Sequence, residues 1–345
     1  MNPDWLSLAW RDLPYVEPPL FKGRLKQAVD DFIVHEQLSF EPDGEGEHVL
    51  LYLEKTGLDT EQVVKQLSQW AGVAPHAIGY AGRKDRHART RQWFSVQLPG
   101  KNAPAMQRLE HERLAVLSHT RHGRKLRHGA VQANFFQITL RNLHGPLERI
   151  PEALARIQTQ GVPNYFGGQR FGNHGANLVG ADALFQGKKV RRPVRGLYWS
   201  AARALLFNRI LARRVTDGTW NQILPGERLL LAGSRSHFAH DPEDADLHRR
   251  VAEFDLHPSG WLPGAGGNSA LAAVLALENE VLAEFTPWLD GLCSAAIAGA
   301  RRALRVRPEY VDHQQQSDTL SVQFALPTGS FATALLRELM VTEQD

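Results

Sequence analysis

Strand-like and helix-like segments are distributed unevenly along this 345-residue chain, and their distribution limits the folds that it can adopt. Up to about residue 155, segments rich in β-branched and aromatic residues predict strands, with amphipathic helices over 60–72 and 146–161. Helical patterns dominate the middle of the chain, and strand patterns return from about residue 304. This order predicts one α+β body that is interrupted by an inserted domain.

The same patterns predict where individual elements begin. Thr60 is expected to be the N-cap of the first helix and Ser330 the N-cap of a C-terminal helix, because hydroxyl oxygens accept hydrogen bonds from the free N–H groups of a first turn. Further helices are expected over 200–215 and 268–285. The predicted strands are 31–38, 48–57, 92–98, 113–120, 134–143, 304–314 and 318–326.

The net charge of +3 is too small to identify a partner, but the basic residues are concentrated in three runs. These runs cover residues 83–91, 120–128 and 188–195. A single basic run is usually a solvated face, whereas three in one chain favour a surface that neutralises phosphates. Charge alone leaves nucleic acid binding and an ordinary solvated surface as alternatives.

Cysteine content and hydropathy indicate the cellular setting. The single Cys293 excludes an internal disulfide and a multi-thiolate metal site, and it suits a reducing cytoplasm. The first residues lack the order of a signal peptide, and no apolar run approaches the length of a membrane span. We therefore expect a soluble cytoplasmic protein, and a monomer, because the sequence predicts no long exposed apolar stripe.

The stretch "GYAGRKDRHARTRQW" at residues 79–93 places a lone acidic residue, Asp85, among five basic ones. One interpretation is a solvated turn in which the neighbouring cations neutralise Asp85. The other is an ionised carboxylate in a site that receives a polyanion. Basic neighbours lower the pKa of a carboxyl group, so both interpretations predict a charged Asp85, and other parts of the chain must decide between them.

Five segments together resemble the TruD family of tRNA pseudouridine synthases, and they follow one another in the order of that family. Ala133 stands where the family often has glycine, which is a small departure. The resemblance covers nearly the whole chain. The segments are "DFIVHE" (31–36), "GYAGRKDRHARTRQW" (79–93), "RHGRKLRHGAVQANFFQITLRNL" (121–143), "VPNYFGGQRFG" (162–172) and "LPTGSFATALLREL" (326–339).

The resemblance implies an enzyme that isomerises a uridine of the tRNA D arm, at the position numbered 13, to pseudouridine. It implies an α+β fold in which a pseudouridine-synthase-type mixed β-sheet domain carries a central cleft. This catalytic domain would comprise residues 1–160 and 304–345. A helix-rich α/β TRUD domain over residues 161–303 would be inserted into it.

The resemblance also assigns site residues. It implies that Asp85 is the nucleophile and that Phe32, Asn134 and Phe331 contact the uridine, while Phe136 is the active-site phenylalanine. Asn134 and Phe136 are two apart on a predicted strand and share a face, so the ring is placed to stack on a base and the amide to hydrogen-bond to it. The alternative is that Phe136 belongs to an ordinary core stripe.

A wider set of side chains is expected to bind the RNA, namely Lys84, Arg121, Arg124, Lys125, Arg127, Gln169 and Arg170. No motif for a metal or an organic cofactor is found, so we expect none, with tRNA as the partner and no membrane. The competing hypothesis is a non-catalytic RNA-binding module or RNA chaperone on the same fold. Within the enzyme hypothesis, a covalent intermediate and one formed by removal of a sugar proton both remain open.

Overall fold

The computed structural model describes residues 4–127 and 129–342, so residue 128 of the second basic run lies outside the described residues. The strands are β1 (Phe21–Leu25), β2 (Phe32–Leu38), β3 (His48–Thr56), β4 (Ile78–Tyr80), β5 (Arg89–Gln97), β6 (Leu114–His122), β7 (Val131–His144), β8 (Val162–Pro163), β9 (Arg228–Leu231), β10 (His237–Ala239), β11 (Leu256–Leu262), β12 (Ala300–Ala303), β13 (Arg305–Val306), β14 (Glu309–Gln316), β15 (Thr319–Pro327) and β16 (Met340–Thr342). The α-helices are α1 (Thr60–Ala71), α2 (Ile150–Gln160), α3 (Ala176–Phe185), α4 (Arg192–Thr216), α5 (Asp246–Ala252), α6 (Ala272–Leu282), α7 (Thr286–Ser294) and α8 (Ala332–Leu336).

Ten strands of the described chain form one mixed sheet, which confirms the predicted α+β class. Its order is β14-β15-β7-β2-β5-β3-β6, with β1 pairing with β7 and β16, and β4 pairing with β5. In the antiparallel pair of β2 and β7, Glu36 lies opposite Asn134 and Val34 lies opposite Phe136. Opposed residues project to the same face, so this register brings Glu36, Asn134 and Phe136 together on one face.

Three helices bury the apolar faces of this sheet. One core lies between the sheet and α2 with α8, and its helical members include Ile150, Leu154 and Leu335. A second core lies between β3, β5, β6 and α1, where Val63 and Leu67 are fully buried. The apolar residues of α2 and α1 recur at spacings of three and four, which places them on one side of each helix.

Both predicted N-caps are wrong by one residue. The N-cap of α1 is Asp59, whose carboxylate accepts a hydrogen bond from the N–H of Gln62 at 2.8 Å, while the Gln62 side chain accepts one from the N–H of Asp59 at 2.9 Å. This reciprocal arrangement leaves the Thr60 hydroxyl available for another contact. The N-cap of α8 is Phe331 and not Ser330, and no side chain closes that helix end.

The chain between the two parts of the large sheet contains α3 to α7 and a four-stranded sheet of order β10-β9-β11-β12. We call the segment from β8 to β13, residues 162–306, the inserted region. The long α4 packs against α3, α6 and β11, and fully buried Ala201, Leu205 and Ile210 lie in its core. Helix 200–215 is extended at both ends relative to the prediction, and 268–285 is divided into α6 and a separate following segment. The strands β8 and β13 pair with each other beside the predicted junctions 160/161 and 303/304.

The segment before β1 is held by α8 and by the inserted region together. Arg337 donates a hydrogen bond to the carbonyl of Leu13 at 2.7 Å, and the Glu338 carboxylate accepts one from the N–H of Val16 at 3.0 Å. The amide of Asn208 in α4 donates to the carbonyl of Ala9 at 2.9 Å. Nowhere in the described residues does a helix combine the length and the apolar character that crossing a bilayer requires.

Candidate active site

Asp85 lies in the loop between β4 and β5, residues 81–88. The Lys26 ammonium binds one oxygen of its carboxylate. The other oxygen, Oδ1, accepts a hydrogen bond from the backbone N–H of His87 at 3.1 Å. Because the Asp85 side chain is 41% exposed, a substrate atom has access to a carboxylate that the protein already holds in position.

The pKa of Asp85 lies below its ordinary value of 3.8 because opposing influences do not cancel. Partial burial is the largest single influence, and it raises the pKa. The charge and hydrogen bond of Lys26, together with the contacts to His87, outweigh burial and lower the pKa. Asp85 is therefore ionised at neutral pH, which is the form that a nucleophile or a base requires.

The arginines beside Asp85 in the sequence are not its charge partners. Arg86 is exposed. The other three form ion pairs with different acidic residues: Arg83 with Glu61 at an N–O distance of 3.1 Å, Arg89 with Asp30 at 2.7 Å, and Arg91 with Glu54 at 2.7 Å. The interpretation in which neighbouring arginines neutralise Asp85 therefore disagrees with these ion pairs. Lys26, which lies 59 positions earlier in the chain, neutralises it instead.

Two buried polar side chains fix the start of the Asp85 loop. The Thr60 hydroxyl accepts a hydrogen bond from the N–H of Lys84 at 2.9 Å and donates one to the Gln92 amide oxygen at 3.1 Å. The Gln92 amide nitrogen donates to the carbonyl of Gly82 at 2.7 Å. Thr60 and Gln92 are at most 1% exposed, so these bonds compete little with water and hold the backbone beside Asp85.

Lys55 fixes the centre of the same loop, although it belongs to β3. Its ammonium donates hydrogen bonds to the carbonyl of Leu58 at 2.6 Å and to the carbonyl of Asp85 at 3.2 Å. The residue is fully buried, and burial, opposed by the nearby charge of Asp85, lowers the pKa of Lys55 from 10.5 to about 8. The sequence analysis missed Lys55, although a lysine in the predicted buried strand "HVLLYLEKTG" is the signal that marks it.

Lys26 was also missed, because it lies outside the three basic runs. It directly follows β1 with a backbone φ of 59°, in the left-handed region that residues other than glycine seldom adopt. Its ammonium lies 4.3 Å from the centroid of the Phe32 ring and also binds Asp85. Such strain is often found at functional sites. Lys26 thus brings Phe32 and Asp85 into one site.

Lys84 lies inside the site and not on an open surface. Its ammonium is 2.7 Å from Glu36 Oε1 and donates a hydrogen bond to Asn134 Oδ1 at 2.9 Å. The other Glu36 oxygen accepts a hydrogen bond from the N–H of Trp93 at 2.9 Å. The Glu36 side chain is fully buried and that of Lys84 is 13% exposed. This geometry favours a role for Lys84 in orienting Asn134 over direct contact with phosphate.

Phe136 is packed between two other rings. Its centroid lies 6.1 Å from that of Phe32, in an edge-to-face arrangement, and 5.4 Å from that of Phe324, in a stacked one. Only 9% of Phe136 is exposed, compared with 0% for Ile138 and Leu140 further along β7. Phe136 therefore belongs to the core and also lies at the margin of the site, so both interpretations of the residue agree with its position.

Phe331 belongs to a second group, which the loop 164–172 forms with α8. The Phe331 ring centroid lies 5.8 Å from that of Phe166 and 5.7 Å from the guanidinium carbon of Arg170. A side chain at Gly167 would meet Thr333 Oγ1 at 2.5 Å, so this glycine permits the close approach of the loop to α8. The Gln169 side chain accepts a hydrogen bond from Thr333 Oγ1 at 3.4 Å.

A cavity of about 550 Å³ is lined by side chains that contact each group, although neither Asp85 nor Phe331 is among its lining residues. Lys26 lines it on the side of Asp85, and Gln169 and Thr333 line it on the side of Phe331. Trp10, from the segment before β1, completes the wall. The site residues implied by the resemblance thus form two groups, and Lys26 beside the first and Gln169 beside the second line the same cavity.

The second basic run begins within the last residues of β6 and packs beside β4. Arg121 donates hydrogen bonds to backbone carbonyls, including that of Lys101 at 2.5 Å, and Lys125 donates to the carbonyl of His76 at 2.5 Å. Arg124 and Arg127 are exposed. The four residues therefore differ, because two stabilise loops and two present their charges to solvent.

Comparison with known proteins identifies the family. The family model for tRNA pseudouridine synthase D (TruD) matches residues 15–188 and 181–339. The curated tRNA pseudouridine synthase D of Methylococcus capsulatus is 44% identical over 322 residues, which cover 92% of this chain and 91% of the relative. That of Nitrosococcus oceani is 44% identical over 333 residues, covering 95% and 93%.

A solved structure supports the same assignment at the level of fold. The structure of a tRNA pseudouridine synthase D (TruD) from Methanosarcina mazei matches with a TM-score of 0.74 and 22% identity, and the match covers 98% of each chain. Family model, relatives and fold agree with the five segments found in the sequence. This chain belongs to the TruD family of tRNA pseudouridine synthases.

Proposed function

We propose that this enzyme converts uridine 13 in the D arm of tRNA to pseudouridine and that Asp85 is its nucleophile. The observation that carries the proposal is the reachable, ionised Asp85 carboxylate on a loop that buried polar groups hold in place. A module that only binds RNA gains nothing from a carboxylate that lies near phosphates. The way the protein supports Asp85 therefore favours catalysis over simple binding.

The reaction needs one carboxylate that acts and returns unchanged. The bond between N1 of uracil and C1′ breaks, the base turns, and C5 bonds to C1′; C5 then loses its proton and N1 gains one, so that the composition is unchanged. In one route the Asp85 carboxylate bonds to C1′ and is displaced when C5 attacks. In the other it removes the C2′ proton and returns it. Lys26 orients the carboxylate for either route, since it binds Asp85 Oδ2.

The other site residues would hold the uridine once it has left the base stack. Flipping a base out of a folded arm costs a few kcal/mol, which contacts with the protein must offset. Phe32, Phe136 and Phe331 offer apolar surface to the base, and Asn134, held by Lys84, offers an amide. Arg124, Arg127, Gln169 and Arg170 are proposed to bind the RNA backbone.

We propose that the enzyme works in the cytoplasm as a monomer, without metal or cofactor. The proposal of a monomer rests on the sequence, which predicts no long exposed apolar stripe. The expectations on cofactors and oligomeric state stay predictions.

The test compares wild type with Asp85→Asn and Asp85→Glu on one tRNA. Asparagine keeps the shape but removes the charge, and glutamate moves the carboxylate by more than about 1 Å, so we expect turnover to fall by several orders of magnitude in both. Affinity for tRNA should hold or rise slightly, because a negative charge near phosphates has gone. Pseudouridine at position 13 is measured by carbodiimide-based primer extension, and a Glu variant of near-normal yield refutes the nucleophile assignment.

A further inference from the structure

Two arginine side chains flank the Phe166 ring beside Phe331. The Arg302 guanidinium carbon lies 4.1 Å from the ring centroid, and that of Arg170 lies 5.6 Å from it. The Phe166 N–H is itself fixed by a hydrogen bond to the Asn208 side chain at 2.8 Å. The ring therefore holds two positive charges at a defined place in the fold.

Neither arginine has a carboxylate partner among the described residues. Arg302 donates to the backbone and side-chain oxygens of Asn164 and to the carbonyl of Gly329, and Arg170 donates to the Ser200 hydroxyl at 3.2 Å. All of these acceptors are neutral. The two guanidinium groups are thus half-buried like charges without a counter-ion.

Other arginines of the inserted region show how the same fold neutralises a buried cation. Arg214 pairs with Glu227 and Arg301 pairs with Glu278, each at an N–O distance of 2.9 Å with side chains at most 1% exposed. Burial lowers the pKa of Arg302 to about 9, with a further contribution from the charge of Arg170. An anion between the two guanidinium groups would relieve this unfavourable arrangement.

Arg170 has the free donors that such an anion needs. A guanidinium group carries five N–H donors, and Arg170 uses one of them on Ser200. Its Nε is buried without a hydrogen-bond partner in the described structure, as are the Nε atoms of several other arginines. The planar fork matches the geometry of a phosphate group, which accepts two parallel N–H bonds.

The position of the pair points to RNA. Arg302 binds Gly329, two residues before Phe331, and Gln169, the neighbour of Arg170, lines the cavity that extends to Lys26. A phosphate held here would lie close to the wall that Gln169 contributes to that cavity. It would also fasten the loop that positions Phe331, because Arg302 already connects that loop to Asn164.

We propose that Arg170 and Arg302 form a subsite for one backbone phosphate of the RNA, in which that phosphate supplies the missing counter-ion. The inference rests on the proposed function in so far as Phe331 contacts the uridine. The new element is that the inserted region binds a nucleotide whose phosphate lies beside Phe331.

The test measures how tRNA affinity depends on salt, which needs no turnover and so stands whatever the Asp85 variants show. Loss of one phosphate contact lowers the slope of log affinity against log salt by about 0.7–0.9. We expect that change for Arg170→Gln, with an affinity at least about tenfold lower in low salt. Arg170→Lys keeps the positive charge but lacks the planar guanidinium group with its parallel N–H donors. The slope should therefore stay near that of wild type, while part of the affinity is lost.

Two further variants make the result decisive. Arg235→Gln removes the same charge from an exposed turn of the inserted region and should leave the slope nearly unchanged. Arg302→Gln should lower the slope as Arg170→Gln does, and its melting temperature reports whether the fold survives. If Arg170→Gln binds tRNA with the slope of the Arg235→Gln control, the subsite does not exist.

Discussion

Replacement of Lys55 by methionine separates what this buried lysine does for stability from what it does for the site. Methionine fills a similar apolar volume but carries neither charge nor donors. Lys55→Met therefore removes the bonds of 2.6 and 3.2 Å to the carbonyls of Leu58 and Asp85. It also removes an ammonium group that is fully buried.

These two changes affect the free energy of unfolding in opposite directions. Hydrogen bonds from a charged donor each contribute about 1.5–3 kcal/mol, and the variant loses two of them. Against this, the fall of the Lys55 pKa from 10.5 to about 8 means that burying the charge costs about 3 kcal/mol at neutral pH. Because the terms largely offset each other, we expect Lys55→Met to lose between about 0 and 3 kcal/mol at pH 7.

The pH dependence of that difference is the more specific signature. Between pH 8 and 10.5 the unfolded chain keeps a proton on Lys55 that the folded chain has released, so raising the pH across this window stabilises the folded wild type. Relative to Lys55→Met, wild type should gain up to about 3 kcal/mol over the window and nothing below it. Urea unfolding of both proteins at a series of pH values measures this difference.

Activity should respond differently from stability. Without its bond to the Asp85 carbonyl the loop loses a central anchor, and a nucleophile displaced by about 1 Å can lose a factor of about 100 in rate. We expect turnover to fall while tRNA affinity stays near wild type, with the exposed Lys65→Met as control. This reasoning is refuted if the difference in stability between wild type and Lys55→Met does not change with pH, or if Lys55→Met is fully active.

Three other predictions concern the site and the RNA surface. Lys26→Met removes a charge and a hydrogen bond that lower the pKa of Asp85, while burial continues to raise it. The pKa of Asp85 should therefore rise, and the acid limb of the pH–rate profile should move to higher pH. Phe136→Leu should lower turnover, and Phe136→Tyr should keep much of it, if the ring stacks on uracil; equal activity of the Leu variant would mean core packing alone. Neutralising Arg124 and Arg127 should flatten the salt dependence of tRNA binding, as measured by filter binding, and an unchanged slope would place this run away from RNA.

The sequence was a good guide to elements whose patterns are local. Alternation in 31–38 and 134–143 predicted β2 and β7, although it placed the start of β7 three residues late. The register that sets Glu36 opposite Asn134 depends on which strands pair, and a single sequence does not record that pairing. The misplaced N-cap at Thr60 has a physical cause, because the buried network around the Asp85 loop uses its hydroxyl.

The site was predicted only where a motif carried it. Asp85 stood out because of its basic neighbours, yet its true partner Lys26 approaches from a distant strand end. Lys55 and Arg302 act through backbone carbonyls that lie 30 and 27 positions away, and such contacts leave no periodic signal. Residues that position a site loop through such contacts are therefore found only when the tertiary structure is known.

The charges of the site explain how a carboxylate can work beside RNA. Asp85 is matched by Lys26, and Glu36 by Lys84, so the acidic groups of the site are neutralised within the protein. Arg170 and Arg302 have no carboxylate partner among the described residues, and they lie beside Phe166 and Phe331. Under the proposals made above, RNA phosphates would be attracted to these two arginines, which belong to a different group of residues from the one that holds Asp85. The carboxylate of Asp85 would then keep its negative charge for the reaction, because its own counter-ion is Lys26.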